Sequence, residues 1–177
     1  MSRVIIAPAL RSDAAELIDA NLESREHHAP WAEPFTDQPG FDGWWAKLEA
    51  GSVGLVAREA QSGGVVGVIT ISGIVRGALQ GAYLGYYGMA AFARRGLMTE
   101  AVGLAAAYGF GPLRLHRLEV NIQPANRASI ALVRRLGFRK EGFSPEYLMI
   151  GGAWRDHERW ALLERELSSP PSSAGSA

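Results

Sequence analysis

Two stretches of the chain carry side chains whose types and spacing could do chemistry. The first is Tyr83 to Val102, YLGYYGMAAFARRGLMTEAV. A β-rich run enters an Arg94-Arg95-Gly96 loop, and the loop opens onto a helix-prone run that begins Leu97-Met98-Thr99. The first turn of a helix presents N–H groups without partners and the positive end of the helix dipole, so it favours phosphate. Gly96 would let the backbone approach an anion, Arg94 and Arg95 add charge, and Thr99 adds a hydroxyl. The same residues also suit an ordinary surface loop with two solvated arginines, and one glycine is weaker than a complete glycine-rich motif.

The second stretch is Arg117 to Phe138, RLEVNIQPANRASIALVRRLGF. Asn126 is placed to cap a helix. Ser129, Leu132, Val133 and Leu136 follow helical spacing, so Ser129 shares a face with three apolar residues. Its hydroxyl either bonds back to the helix backbone or faces a ligand held between strand and helix. Glu119 lies on the polar face of the preceding strand, where it is either a base or the partner of Arg117. His27, His28, His116 and His157 share no metal-ligand spacing with acidic residues, and no thiolate supports them, so no metal is expected.

The composition narrows the classes. There are 18 Lys plus Arg, of which only Lys47 and Lys140 are lysine, against 18 Asp plus Glu, and no cysteine, in 177 residues. Zero cysteines exclude a disulfide framework, thiol catalysis and Cys-ligated clusters, and they fit a reducing cytoplasm. A net charge of zero argues against an electrostatic nucleic-acid binder. No apolar run approaches the roughly 18 residues of a membrane span. The expectation is one cytoplasmic domain over residues 1–167, with a disordered Ser- and Pro-rich tail over 168–177.

The elements that must position these residues can be read from periodicity and punctuation. Val4 to Ala7 is a strand. A helix capped near Ser12 or Asp13 runs to about His28, a Pro- and aromatic-rich connection follows from Pro30 to Pro39, and a short helix lies around Trp44 to Glu49. Val53 to Glu59 and Val65 to Ser72 form a hairpin around Ser62-Gly63-Gly64. Strands over about Ala82 to Met89 and His116 to Gln123 bracket a buried helix from Leu97 to Phe110. Ala128 to Leu136 is a helix stopped by Gly137. Strands follow near Phe138 to Glu141, Tyr147 to Ile150 and His157 to Leu163. The order implies a mixed α/β sheet flanked by helices.

Seven segments, in order, give the chain a specific likeness: REHHAPWAEPF (25–35), ISGIVRG (71–77), YLGY (83–86), RGLMTEA (95–101), HRLEVNIQPANRAS (116–129), RLGFRKEGFS (135–144) and WRDHERWALL (154–163). With them the chain resembles the GNAT superfamily of N-acetyltransferases, and within it the RimJ/RimL-type ribosomal-protein N-terminal acetyltransferases. The resemblance implies a mostly antiparallel sheet whose fourth and fifth strands splay apart to hold acetyl-CoA. It places the pyrophosphate on the Arg94, Arg95, Gly96, Leu97, Met98 and Thr99 loop. It places the pantetheine arm on strand-four backbone at Met89, Ala90 and Ala91, and on Asn126. Ala93 and Arg94 depart from the usual loop pattern, Arg94 replacing a common glycine.

Acetyl transfer to an amine needs a neutral amine, donors for an oxyanion and a proton for the leaving thiolate. The resemblance assigns the oxyanion donors to backbone near Met89. Many relatives use a tyrosine acid in the last helix, but that place is Val133, and Ser129 takes the role in the RimL-type branch. Glu119 is the first base candidate, with Glu146, Asp156 and His157 behind it. His27, His28, Trp31 and Phe35 would wall the acceptor site. An α-amine, with a pKa of about 7.7–8.0, needs far less help from a base than lysine at about 10.4. The expected acceptor is therefore a protein or peptide N-terminus, with no nucleic acid and no membrane as partner. The alternatives are a small amine (antibiotic, polyamine or amino acid) and a CoA-binding protein without turnover.

Overall fold

The computed structural model describes residues 2–167; the expected tail at 168–177 lies outside the described residues. Among the described residues, seven strands form one sheet: β1 (Val4–Pro8), β2 (Val53–Glu59), β3 (Val65–Val75), β4 (Gly81–Gly88), β5 (Arg117–Ile122), β6 (Arg139–Ile150) and β7 (Ala153–Leu163). Their order across the sheet is β1-β2-β3-β4-β5-β7-β6. Neighbours pair antiparallel except β4 and β5, which are parallel. That parallel pairing covers Gly81↔Arg117, Ala82↔Leu118 and Tyr83↔Glu119 and stops there, although β4 runs on to Gly88 and β5 to Ile122. The expected splay between the fourth and fifth strands is thus present.

Helices cover both faces. Alternation along β2 sends Leu55 and Ala57 to one core and Val56 to the other. The first core packs under α4 (Leu97–Phe110) and α5 (Arg127–Arg135), burying Leu97, Val102, Phe110, Ile130 and Val133 against Ile69, Ile71, Leu84 and Leu118. Gly109 lets α4 sit close to β5: a Cβ there would meet a Leu118 methyl at 3.1 Å. The second core packs under α1 (Ala14–Glu23) and α3 (Gln38–Glu49) through Leu17 and Phe41 against Val56 and Val68.

Five boundaries differ from the sequence expectation, one of them the start of β7, at Ala153 rather than near His157. The first helix does not run to His28: it stops at Glu23, and a separate turn, α2 (Arg25–His28), follows Ser24. The break turns the Ser24 hydroxyl to accept from the Ala90 amide at 3.0 Å. The helix expected around Trp44 begins at Gln38, because the Asp37 carboxylate caps the Gly40 amide at 2.8 Å and Pro39 suits the first turn. The second strand of the hairpin runs on to Val75, with a register shift between Ser72 and Val75. The runs at 138–141 and 147–150 are one strand, β6, with register shifts after Lys140 and Ser144. Glu146 has a positive φ of 45° within the second shift, and its amide donates to Asp156 at 2.8 Å.

The residue opposite the end of β4 must be small. Gly67 pairs with Gly88, and a Cβ at Gly67 would lie 2.5 Å from both the Tyr87 carbonyl and the Met98 sulfur. Gly67→Val should therefore push β4 and the start of α4 apart, costing about 1–3 kcal/mol. Urea unfolding should report the lower midpoint, and the same variant should bind acetyl-CoA more weakly by calorimetry.

Candidate active site

Where β4 and β5 part, their facing backbone has no ladder partner, and a cavity of ≈ 1150 Å³ opens through the sheet. The direction of each peptide follows from two bonds. The Met89 amide donates to Val66 on β3 at 2.8 Å. The Gly88 carbonyl points the other way and accepts from His28 Nε2 at 3.0 Å. Along an antiparallel strand a residue's N–H and C=O share a side. The Gly88 amide therefore faces the gap.

The expected cofactor residues divide. Arg94, Gly96, Met98, Thr99 and Asn126 line this cavity. Arg94 has φ 61° and Gly96 φ 77°. Arg94 thus keeps the left-handed backbone that a glycine would take without strain, at a cost of about 1–2 kcal/mol. The loop is braced from outside. The Arg95 guanidinium pairs with Glu59 and lies 5.4 Å from the Phe92 ring centre, so its side chain is turned away from the cavity. Leu97 is buried in the core, which anchors the first turn of α4. Glu100 ties that turn to the edge strand through the Arg3 amide at 2.6 Å and the Val4 amide at 3.2 Å.

Met89, Ala90 and Ala91 line a separate cavity of ≈ 290 Å³. The Met89 amide is committed to Val66 and the Ala90 amide to Ser24. These two amides are therefore unavailable to an oxyanion, and Gly88 is the neighbouring residue whose amide faces the gap.

On the opposite wall, Asn126 caps α5, accepting from the Ser129 amide at 3.1 Å. Ser129 lines the cavity and does not bond back to its own helix: its Oγ is 2.7 Å from the Tyr86 hydroxyl. Val133, at the place where many relatives carry a tyrosine, is fully buried. A phenol is nonetheless present beside Ser129, supplied by β4 rather than by the helix. Burial pushes the Tyr86 phenol up to about 12, against the pull of its bond to Ser129, so it holds its proton at neutral pH. Sequence reading missed Tyr86, because a tyrosine in a hydrophobic strand carries no local sign of its partner.

His27, His28, Trp31 and Phe35 line the same cavity as Ser129. Asn21 holds this wall, donating to the Phe35 carbonyl at 2.8 Å and the Tyr87 hydroxyl at 3.3 Å. Glu33 accepts from the Gly151 amide at 3.0 Å, joining the wall to the β6–β7 turn. Glu119 is not among the lining residues: it pairs with Arg117 at 2.8 Å, and Arg117 also bonds Glu141. Asn121 and His157, in contrast, line the cavity. Among the described residues, no group of three His, Asp or Glu side chains could hold a metal ion, and no helix is long and apolar enough to cross a membrane.

A sheet opened at a parallel pair, with a left-handed loop and a helix N-terminus at the mouth of the gap, is the arrangement an acyl-CoA-dependent transferase requires. The family described as acetyltransferase (GNAT) domain matches residues 3–139, and the chain belongs to that family, whose acetyl donor is acetyl-CoA. A [ribosomal protein uS5]-alanine N-acetyltransferase of Escherichia coli K12 is 36% identical over 172 residues, spanning 90% of this chain and 87% of the relative. The solved structure of Mycobacterium smegmatis RimJ in complex with CoA-disulfide has a TM-score of 0.82 at 31% identity, covering 94% of this chain and 84% of that one. Spermidine N-acetyltransferase from Vibrio cholerae, solved with CoA and spermine, shares the fold with a TM-score of 0.79 at 19% identity, covering 94% of this chain and 98% of that one.

His28 makes the wall sensitive to acid. Burial is the main cause that lowers its pKa from 6.5, with His27 adding to it, while the bond to Gly88 works the other way. Unfolding releases the imidazole to its ordinary value, so the unfolded chain takes up the proton first. Stability should be full above about pH 6.5 and fall as the pH drops below it. Thermal melts from about pH 7.5 to 5 should show this loss, and His28→Gln, which can still donate to Gly88, should flatten the curve in that range.

Proposed function

We propose that this chain acetylates the α-amine of a protein or peptide N-terminus, with residues 1–167 acting as one acetyltransferase domain. The observation that carries the reading is a shared cavity. The wall of His27, His28, Trp31 and Phe35 opens onto the same space as Ser129 and the Arg94 loop. That wall lies outside the cofactor core. The similarity to the E. coli uS5-alanine enzyme spans nine-tenths of the chain, far more than the donor site alone. The charge of the lining supports a peptide over a polyamine. A polycation calls for several carboxylates, whereas Glu33 is the one acidic residue among the described lining residues, beside Lys47, Arg94 and Arg135.

The chain's residues would share the work as follows. Arg94 and the open amides at the start of α4 hold the pyrophosphate of acetyl-CoA. The Gly88 amide donates to the oxygen on which negative charge develops. Ser129 delivers a proton to the leaving sulfur and recovers one from the nitrogen that has attacked, while Tyr86, donating to Ser129 Oγ, orients that hydroxyl toward the gap and keeps its own proton. A serine alone is a weak acid, and the phenol beside it makes the relay chemically reasonable.

Incubation with acetyl-CoA and short peptides beginning with Ala or Ser, followed by mass spectrometry, tests the reading. The acetyl group should sit on the terminal amine. Acetylation found only on lysine, or turnover of free polyamines with none of peptides, would overturn it. Ser129→Ala should lower kcat by about 10²-fold or more while leaving acetyl-CoA affinity within about twofold. Arg94→Ala should do the reverse, weakening acetyl-CoA binding by about tenfold, ~1.4 kcal/mol, with a smaller effect on kcat. Calorimetry and steady-state kinetics separate the two.

A further inference from the structure

The two carboxylates nearest the reaction are committed elsewhere, Glu119 to Arg117 and Glu33 to the Gly151 amide. Among the hydrogen-bond acceptors of the cavity without donors, two stand on neighbouring strands, β5 and β7. His157 is 2% exposed, lines the cavity, and has its Nδ1 2.8 Å from the Arg155 carbonyl. A carbonyl only accepts, so Nδ1 carries the proton, and the lone pair of the neutral ring lies on Nε2. Asn121 also lines the cavity, and its buried Oδ1 has no hydrogen-bond partner. Asn121 pairs with Arg159, two residues along β7 from His157, so both side chains stand on one face of the sheet, diagonal to each other.

An acceptor oxygen and an acceptor nitrogen beside the open gap match a group that brings two or more N–H donors. We propose that His157 Nε2 takes the proton from the incoming α-ammonium while Asn121 Oδ1 accepts a second N–H and aims the nitrogen. This deepens the N-terminal acetyltransferase reading and rests on it. The C–N bond forms from the freed lone pair as the C–S bond breaks. Of the two protons the ammonium gives up, one ends on sulfur, through Ser129, and one leaves His157 for solvent. Several titratable and charged groups face His157. Tyr147 on β6 lies 6.1 Å away, ring to ring. Arg155 and Arg159 flank it on β7, Glu119 on β5 is neutralised by Arg117, and Tyr87 and His28 border the same cavity from β4 and α2.

The test is the pH dependence of one ratio. At about pH 6.5, where an α-amine is mostly protonated, His157→Gln should lower kcat with an Ala-initiated peptide by about 10²-fold. At about pH 9, where the amine is already neutral, the deficit should shrink by tenfold or more. Acetyl-CoA affinity should stay within about twofold of wild type throughout. Asn121→Leu should raise the KM for peptide more than it lowers kcat. A deficit equal at both pH values, or no deficit, would overturn the proposal. If the Gln variant folds poorly, 15N shifts of the wild-type imidazole decide: a proton on Nδ1 is required, and one on Nε2 refutes the assignment. Wild-type enzyme that acetylates no peptide would remove the acceptor reading and this proposal together. Wild-type turnover with an unimpaired His157→Gln would remove this proposal alone.

Discussion

Everything in this molecule depends on a sheet that is allowed to come apart in one place. β4 and β5 are its parallel neighbours, and they pair over three residues only. Backbone groups that lose a ladder partner must find another or carry a penalty of about 1–3 kcal/mol each when buried. The chain meets this with a side chain at one position, His28 on the Gly88 carbonyl, and leaves the Gly88 amide turned into the gap. An open amide is the kind of group acyl transfer needs, and the same local loss of sheet structure both opens the cavity and frees this donor toward it.

The gap stays open because the elements around it are tied by specific bonds more than by general apolar contact. Ser24 fixes the end of β4 to the α1–α2 break. Asn21 fixes Tyr87 and Phe35. Glu33 fixes the wall of His27, His28, Trp31 and Phe35 to the distant β6–β7 turn. Arg95 and Glu100 hold the loop and the first turn of α4 from the outside, which frees Arg94 to face the cavity. Polar side chains suit this task because a bond has direction, and packed aliphatic groups alone would favour closing the gap.

The two halves of the cavity differ in character. One carries a loop with positive charge and a hydroxyl pair, Tyr86 and Ser129. The other carries aromatic rings, histidines and acceptor atoms, with a single carboxylate among the described lining residues. That asymmetry suits an anionic donor and an acceptor carrying one positive charge at its terminus.

The sequence by itself determined the elements, the loop and the family. Strands and helices follow from hydrophobic period and glycine punctuation, which are local. Gly96, Asn126 and Ser129 were legible because a helix start and a helix cap are written within a few residues. What only the tertiary structure decided was which polar groups are free. Glu119 reads as a base until Arg117, two residues away on the same face, takes it. The backbone near Met89 reads as the oxyanion donor until β3 takes the Met89 amide and Ser24 the next one, Ala90. Tyr86 carries no local sign of a role until it meets a serine 43 residues on. Asn121 becomes notable, and His157 stands out from Glu146 and Asp156, only when neighbouring strands set the two on one face with acceptors unfilled. Availability of a hydrogen-bonding group is a property of its surroundings, and most of those surroundings come from distant segments of the chain.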